Sequence, residues 1–241
     1  MNEINLEKYY DGIRNFFKSS NGKIAVIGIS GGKDSTVAAA LCANALGKEN
    51  VIGVLMPKGE QADIEDSRKL CKILDIKNIE VDIGYVFGYY WNNMSQNNIA
   101  VTKQASINLQ PRLRMSLLYF VAQSIDGGRV INTTNACESF VGYGTLWGDT
   151  VGDFAVLKNL KVSEVVKIGD KLGLPYELVH KTPSDGLSGK SDEDNLKVTY
   201  GQIELYMDGK FDELTENVKN RIKFLHESSQ FKRDMINLNG I

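Results

Sequence analysis

The apolar positions of this chain keep two rhythms that alternate along its length. Over residues 5–18, Leu6, Tyr9, Tyr10, Ile13 and Phe17 recur at spacings of three and four, which predicts an amphipathic helix. Lys23 to Ile29 is then a short run rich in β-branched residues, the pattern of a strand covered on both faces. Helical spacing returns from Thr36 to Leu46, closed by Gly47, and Val51 to Met56 reads as a second strand ending at Pro57. Ile64, Ser67, Cys71 and Leu74 mark a helix, and Ile79 to Ile83 a third strand. Further on, Leu113, Leu117, Phe120 and Val121 predict a helix and Gly128 to Asn132 a fourth strand. Helices follow near 163–172 (Val165, Ile168, Leu172) and along Leu214, Val218, Ile222 and Leu225. Residues 85–108, aromatic and then amide-rich, fit neither rhythm cleanly.

Strands alternating with helices predict an α/β fold, a doubly wound and mostly parallel sheet flanked by helices. No Pro/Gly/Ser linker, low-complexity tract or repeat interrupts residues 1–241, so a single domain is expected. Sheets of this kind bind ligands at the carboxyl ends of their strands, beside the switch in strand order. Ser30 to Ser35 falls at such a place.

Composition narrows the partners. A formal charge of −2 gives no global attraction to nucleic acid or to an anionic membrane, so any polyanion must be held by a local cluster. No apolar run approaches the roughly 18 residues that span a bilayer, and the first residues lack the basic-then-apolar order of a signal peptide. Cys42, Cys71 and Cys137 are scattered, as reduced core thiols of a cytoplasmic protein would be, and two histidines make a histidine zinc site a poor candidate.

Ser30-Gly31-Gly32-Lys33-Asp34-Ser35 joins the first strand to a helix. Its glycines let backbone approach an anion, the helix start supplies free N–H groups, and Ser30 and Ser35 add hydroxyls. Asp34 would repel a bare phosphate and makes sense beside a divalent cation. The loop is neither a Walker A loop, because Asp34 follows Lys33, nor a G-x-G-x-x-G fingerprint. A capped strand-to-helix turn is the plain alternative.

Arg112 and Arg114 read as opening a helix, where the dipole disfavours them; a dianionic ligand would explain the pair. Asn132 to Glu138 and Val141 to Asp153 are dense in Gly, Thr and Asp, costly in entropy for mere filler. Glu138 could share a magnesium ion with Asp34, and Asp149 and Asp153 could orient a polar substrate or receive a proton.

The loop resembles the SGGxDS motif of the N-type ATP pyrophosphatases, which cleave ATP between its α and β phosphates on an adenine nucleotide α-hydrolase-like sheet. Four further segments extend the likeness to nearly the whole chain: Asn108 to Met115, Thr133 to Glu138, Gly142 to Asp153, and Lys181 to Leu187 with Asp192-Glu193. In that order they resemble the ammonia-dependent NAD synthetases. The resemblance implies a ligase that activates the carboxylate of deamido-NAD as its AMP ester and aminates it, with ATP and Mg²⁺, in a homodimer. By position, Ser30, Gly31, Gly32, Asp34 and Ser35 would hold ATP, with Arg114, Thr133 and Ser184; Asp34 and Glu138 would hold the metal. Asn108, Arg112, Tyr119, Asp149 and Lys232 would meet the dinucleotide, and Asp34 and Asp149 would carry the catalysis. Lys232 lies in Phe231-Lys232-Arg233, where the family has His-Lys-Arg reaching into the partner.

Three positions depart from the family pattern. Val162 stands where a lysine is usual, with Lys161 and Lys158 the nearest ammonium groups; Phe231 replaces the histidine, and Asn132 the glycine before Thr133. The cysteines all fall in the sheet region, leaving none for a glutamine-hydrolysing unit, so ammonia is the expected donor. Two other readings stand beside this one. Another ATP pyrophosphatase acting on a different carboxylate or on RNA is argued against by the lack of a basic tract, and a non-catalytic adenine-nucleotide-binding module by Asp34 and Glu138.

Overall fold

The computed structural model describes residues 4–61, 64–181 and 191–233. Five parallel strands form one sheet in the order β3-β2-β1-β4-β5. They are β1 (Ile24–Gly28), β2 (Val51–Leu55), β3 (Lys77–Glu80), β4 (Gly128–Asn132) and β5 (Phe154–Ala155). The order reverses between β1 and β4, so the loops leaving those two strands open a crevice at the sheet's carboxyl edge.

Helices α1 (Leu6–Ser19), α2 (Lys33–Leu46), α3 (Ile64–Ile73), α4 (Gly84–Gln96), α5 (Lys103–Gln123), α6 (Ala136–Val141) and α7 (Val162–Lys171) follow the chain. They are succeeded by α8 (Tyr176–Val179), α9 (Asp192–Leu196), α10 (Tyr200–Met207), α11 (Glu216–Ser228) and α12 (Gln230–Arg233). No described helix is long and apolar enough to cross a membrane.

Alternation along the strands explains the layering. Ala25 and Ile27 of β1, Leu55 of β2 and Ile131 of β4 face a core made with α1, α2, α3 and α7, where Ile13, Leu41, Leu70 and Ile168 are buried. Val26, Ile52, Val54 and Val130 face the opposite way, onto Met115, Leu118 and Val121 of α5. Both faces are therefore covered, as the unbroken apolar runs of these strands require. A third cluster joins Cys137 and Val141 of α6 to Tyr200, Ile203 and Ile222 of α10 and α11. The three thiols are free and buried, and burial pushes Cys42 and Cys137 up to about 12.

Four local readings are corrected. The third strand ends at Glu80, because it is an edge strand with only Ile79 partly inward; Ile83 packs beyond it into the α5 core. Arg112 and Arg114 do not open a helix, since α5 begins at Lys103 under a Thr102 cap and runs through Pro111, which ordinarily marks a first turn. Phe120 is 71% exposed, and the buried face of α5 is carried by Met115, Leu118 and Val121. The ambiguous 85–108 stretch is mostly α4 and the start of α5; Tyr89, Tyr90 and Trp91 are surface residues and only Phe87 of α4 is buried.

Gly128 begins β4 in close contact with the preceding helix. A Cβ there would lie 2.1 Å from the carbonyl oxygen of Ala122, a backbone atom that cannot swing aside. Gly128→Ala is expected to destabilise the chain by about 1–3 kcal/mol, the usual cost of overpacking. Equilibrium urea denaturation measures it, and an unchanged midpoint would contradict the close packing.

Candidate active site

β1 delivers the chain to Ile29, whose N–H still bonds to the Val54 carbonyl, and the glycine loop begins at the next residue. Gly31 turns it at a φ of 74°, a left-handed conformation that glycine adopts without strain. The two serines brace the turn from inside: Ser30 N–H donates to Ser35 Oγ at 3.2 Å, and Ser35 Oγ lies 3.1 Å from both Ser30 Oγ and the Gly32 carbonyl. Gly32 caps α2 without a side chain, so the first N–H groups of this 14-residue helix face the crevice.

The second loop leaves β4. Asn132 spends its amide on three backbone groups, donating to the carbonyls of Asp149 (2.8 Å) and Val151 (3.0 Å) and accepting from Thr134 N–H (2.9 Å). The departure from glycine at this position thus ties β4 to the loop that carries Asp149. Asn135 caps α6 with Glu138 as its reciprocal partner, a capping box. The Asn135 amide also donates to Asp34 Oδ1 at 3.1 Å. One fully buried asparagine therefore holds the α2 and α6 carboxylates in register.

The cavity between these loops measures about 290 Å³. Ser30, Gly32, Asp34, Ser35, Arg114, Thr133, Glu138 and Asp149 all line it. Gly31 supplies the turn. Arg114 is anchored by its Nε on the Met56 carbonyl at 3.1 Å. Asn108, Arg112 and Tyr119 do not line this cavity. They run along α5 and hold the 145–153 loop, through Thr145 Oγ1 (3.2 Å), the Leu146 carbonyl (3.1 Å) and Asp153 Oδ1 (3.2 Å) respectively. Lys232 donates to the carbonyls of Gly142 and Gly144, 2.8 Å each, so its ammonium is engaged within its own chain. Ser184, like most of the Lys181 to Leu187 segment, lies outside the described residues.

Charge is concentrated here. Burial lifts the Glu138 carboxyl well above its ordinary range, and the neighbouring Asp34 charge adds to the effect, against Lys33 and the Asn135 N–H. Asp149 opens to the cavity but is ringed by protein. That low-polarity surrounding raises its pKa, against the Thr145 N–H donated at 2.6 Å and the charges of Lys232 and Arg114.

Among the described residues no three His, Cys, Asp or Glu side chains converge as a protein-only metal cage. Two carboxylates facing a phosphate-binding loop fit a cation that takes the rest of its oxygen ligands from phosphate and water, which is the habit of magnesium. Glu138, its pKa raised by burial and by the neighbouring Asp34 charge, forms with Asp34 a donor set in need of positive charge.

Neither lysine near Val162 lines the cavity. Lys161 is paired with Asp208 and Lys158 is exposed at the surface; among the described residues the lysines lining the cavity are Lys33 and Lys181. Sequence reasoning passed over Lys33, Asn135 and Tyr200. Asn135-x-x-Glu138 was readable as a capping box, and Lys33 in a first helical turn opposes the helix dipole as the arginines seemed to.

The NAD synthase family model matches residues 5–236. The chain belongs to the NAD synthase family. An ammonia-dependent NAD(+) synthetase of Pyrococcus furiosus is 36% identical over 201 residues, 83% of this chain and 77% of that protein. Among solved structures, an NMN synthetase from Francisella tularensis superposes with a TM-score of 0.87 at 32% identity, covering 98% of each chain. An ammonia-dependent NAD synthetase from Campylobacter jejuni gives 0.78 at 27% identity, covering 98% of this chain and 99% of that one. Both solved proteins thus share the fold of this chain over nearly its whole length.

The raised Glu138 pKa has a consequence for stability. A carboxyl with a higher pKa in the folded chain favours folding while protonated, and that contribution fades as pH rises from its ordinary value of 4.5 through the folded one. At neutral pH the ligand-free chain is therefore strained by Glu138. Glu138→Gln is expected to raise the melting temperature at pH 7.5 by about 2–4 °C, roughly 1 kcal/mol for a domain of this size, with the gain shrinking as pH falls toward 4.5. A variant less stable at every pH would contradict this.

Proposed function

We propose that the chain converts deamido-NAD to NAD with ATP and ammonia, through an acyl-adenylate, releasing AMP and pyrophosphate. The observation that carries this reading is the pairing of Asp34 with Glu138 through Asn135 beside a glycine loop, in a family member matched over residues 5–236. The nicotinate carboxylate attacks the α-phosphorus in line, forming a C–O–P link as the bond to pyrophosphate breaks. Loop N–H groups and the Ser30 and Ser35 hydroxyls receive the leaving pyrophosphate. Asp34 and Glu138 would hold magnesium, which when bound would neutralise charge on that leaving group. Ammonia then attacks the acyl carbon, AMP departs with the electron pair of the broken C–O bond, and the surplus ammonium proton passes to Asp149. Its raised pKa suits a base for this purpose. Arg114 and Thr133, lining the same cavity, are assigned to ATP. Asn108, Arg112 and Tyr119 act by shaping the substrate loop, and Ser184 is assigned to ATP on the family pattern alone.

A second reading has one observation in its favour. Of the two solved relatives above, the higher TM-score belongs to a protein described as an NMN synthetase. Its substrate would keep the nicotinate carboxylate and ribose phosphate but lack the adenylate half. The chemistry at Asp34, Glu138 and Asp149 would be unchanged.

One assay separates these. With ATP, Mg²⁺ and ammonium, deamido-NAD should yield NAD and AMP one for one. Its kcat/KM should exceed that of the deamidated mononucleotide by about tenfold or more, since the extra half of the substrate supplies binding. The reverse ratio would establish the mononucleotide reading, and AMP without amide would overturn the amination step. Asp34→Ala should lose on the order of 10²–10³ in kcat with an unchanged circular dichroism spectrum.

The same reading makes the chain a single cytoplasmic domain acting as a homodimer. Supporting the dimer, Tyr85 and Tyr89 on α4 and Phe120 on α5 are 84%, 66% and 71% exposed, more aromatic surface than a monomer usually leaves to water. Light scattering should give twice the chain mass of 26.7 kDa, and Tyr85→Asp with Phe120→Asp should halve it. A monomeric wild type would remove the dimer from the proposal.

A further inference from the structure

The phosphate loop contains a cation that the chemistry above does not use. Lys33 sits in the first turn of α2, where a positive side chain opposes the helix dipole, and it is 4% exposed. Burying an ammonium is strongly unfavourable unless anions surround it. Here they do: Nζ lies 2.8 Å from Asp34 Oδ2 and 5.3 Å from the centre of the Tyr200 ring, within the fields of Glu138 and Asp192. Tyr200 is itself fixed, its hydroxyl donating to Asp192 Oδ2 at 3.0 Å. Lys33 also lines the cavity, so its charge is presented to whatever enters.

Asp34 has both oxygens engaged, Oδ1 by Asn135 and Oδ2 by Lys33. A divalent cation bound through Asp34 Oδ2 would displace or share the contact with Lys33. The freed ammonium, still within the field of Asp192, would then face the anionic tail of the nucleotide across the cavity it lines.

We propose that Lys33 is the resident cation of this loop: it holds Asp34 in the ligand-free chain and passes to a β- or γ-phosphate oxygen when metal and ATP bind. The inference rests on the adenylation reading and adds to it a phosphate-binding residue. Removing the charge leaves the carboxylates a more negative cluster. A bare triphosphate should then bind more weakly and a bare divalent cation more tightly. These opposite directions separate the role from a general loosening of the loop, which would weaken both.

The experiment titrates the full chain with ATP in excess EDTA by calorimetry, and separately with Mn²⁺ alone by electron paramagnetic resonance. Lys33→Met is expected to lose about tenfold or more in metal-free ATP affinity and to gain about threefold or more in Mn²⁺ affinity. Lys33→Arg, which keeps the charge, should hold the ATP affinity within about threefold. If Lys33→Met does not fold, Lys33→Gln is measured in its place with the same expectation. Affinities that fall together, or that both stay within about twofold, overturn the proposal. So does loss of ATP binding in a folded Lys33→Arg. A wild-type chain that binds no ATP under any condition overturns the adenylation reading, and this inference with it.

Discussion

Two carboxylates carried by different crossovers, Asp34 and Glu138, line one cavity, and like charges in a half-buried site repel. Everything at the carboxyl edge of the sheet is arranged around that constraint. Asn135 supplies the geometric part, with its amide nitrogen on Asp34, its amide oxygen on the Glu138 N–H, and its own N–H on the Glu138 carboxylate. Lys33 supplies the electrostatic part, placing a positive charge where the two negative ones would otherwise meet only each other. Neither alone suffices. Hydrogen bonds fix positions but leave the net charge, and a lysine balances charge without defining an angle between two helices.

The sheet makes this meeting possible. Because β1 and β4 are neighbours at the reversal of strand order, the first turns of the helices they feed face one crevice. Parallel register sets their depth, since Ile27 pairs with Ile131 and both loops leave the sheet within a residue or two of that rung. The apolar sequence of β1 and β4 is thus a requirement of function as well as of packing. A slip of one residue would turn the core face outward and carry Asp34 and Asn135 out of reach of one another.

This division explains what could be read from the chain. The buried strands β1, β2 and β4 and the long helices α1, α2 and α7 were legible, because their residues make contacts that repeat with the period of the element. Short or edge elements were not. β5 is two residues long, and the partly inward side chain of β3 is Ile79 alone, so neither repeats often enough to leave a rhythm. Pro111 misled for a physical reason. Its missing N–H suits a first turn, but α5 carries it in mid-helix and does without one bond to the carbonyl four residues earlier. At the site, Asp34, Glu138 and Asp149 were visible as charges with no local reason to exist. The Asn135 contact to Asp34 was not, because it joins residues far apart in sequence, and the burial of Lys33 and Tyr200 beside these carboxylates comes from the tertiary fold.

The position of Asn132 shows how a departure from a family pattern can be absorbed. Glycine there would leave β4 and the 149–151 loop joined only by their own backbones. The asparagine instead inserts an amide between them and satisfies its donors and its acceptor on main-chain groups, so it is buried at no net loss of hydrogen bonds. Gly152 has to remain small beside it, since a Cβ at that residue would lie 2.9 Å from both Asn132 N and Cβ. The substitution and the glycine opposite therefore form one unit, and what it positions is the main chain of Asp149. A change that looks like a lost feature of the site is, in contact terms, a stiffer mount for a carboxylate that lines the cavity.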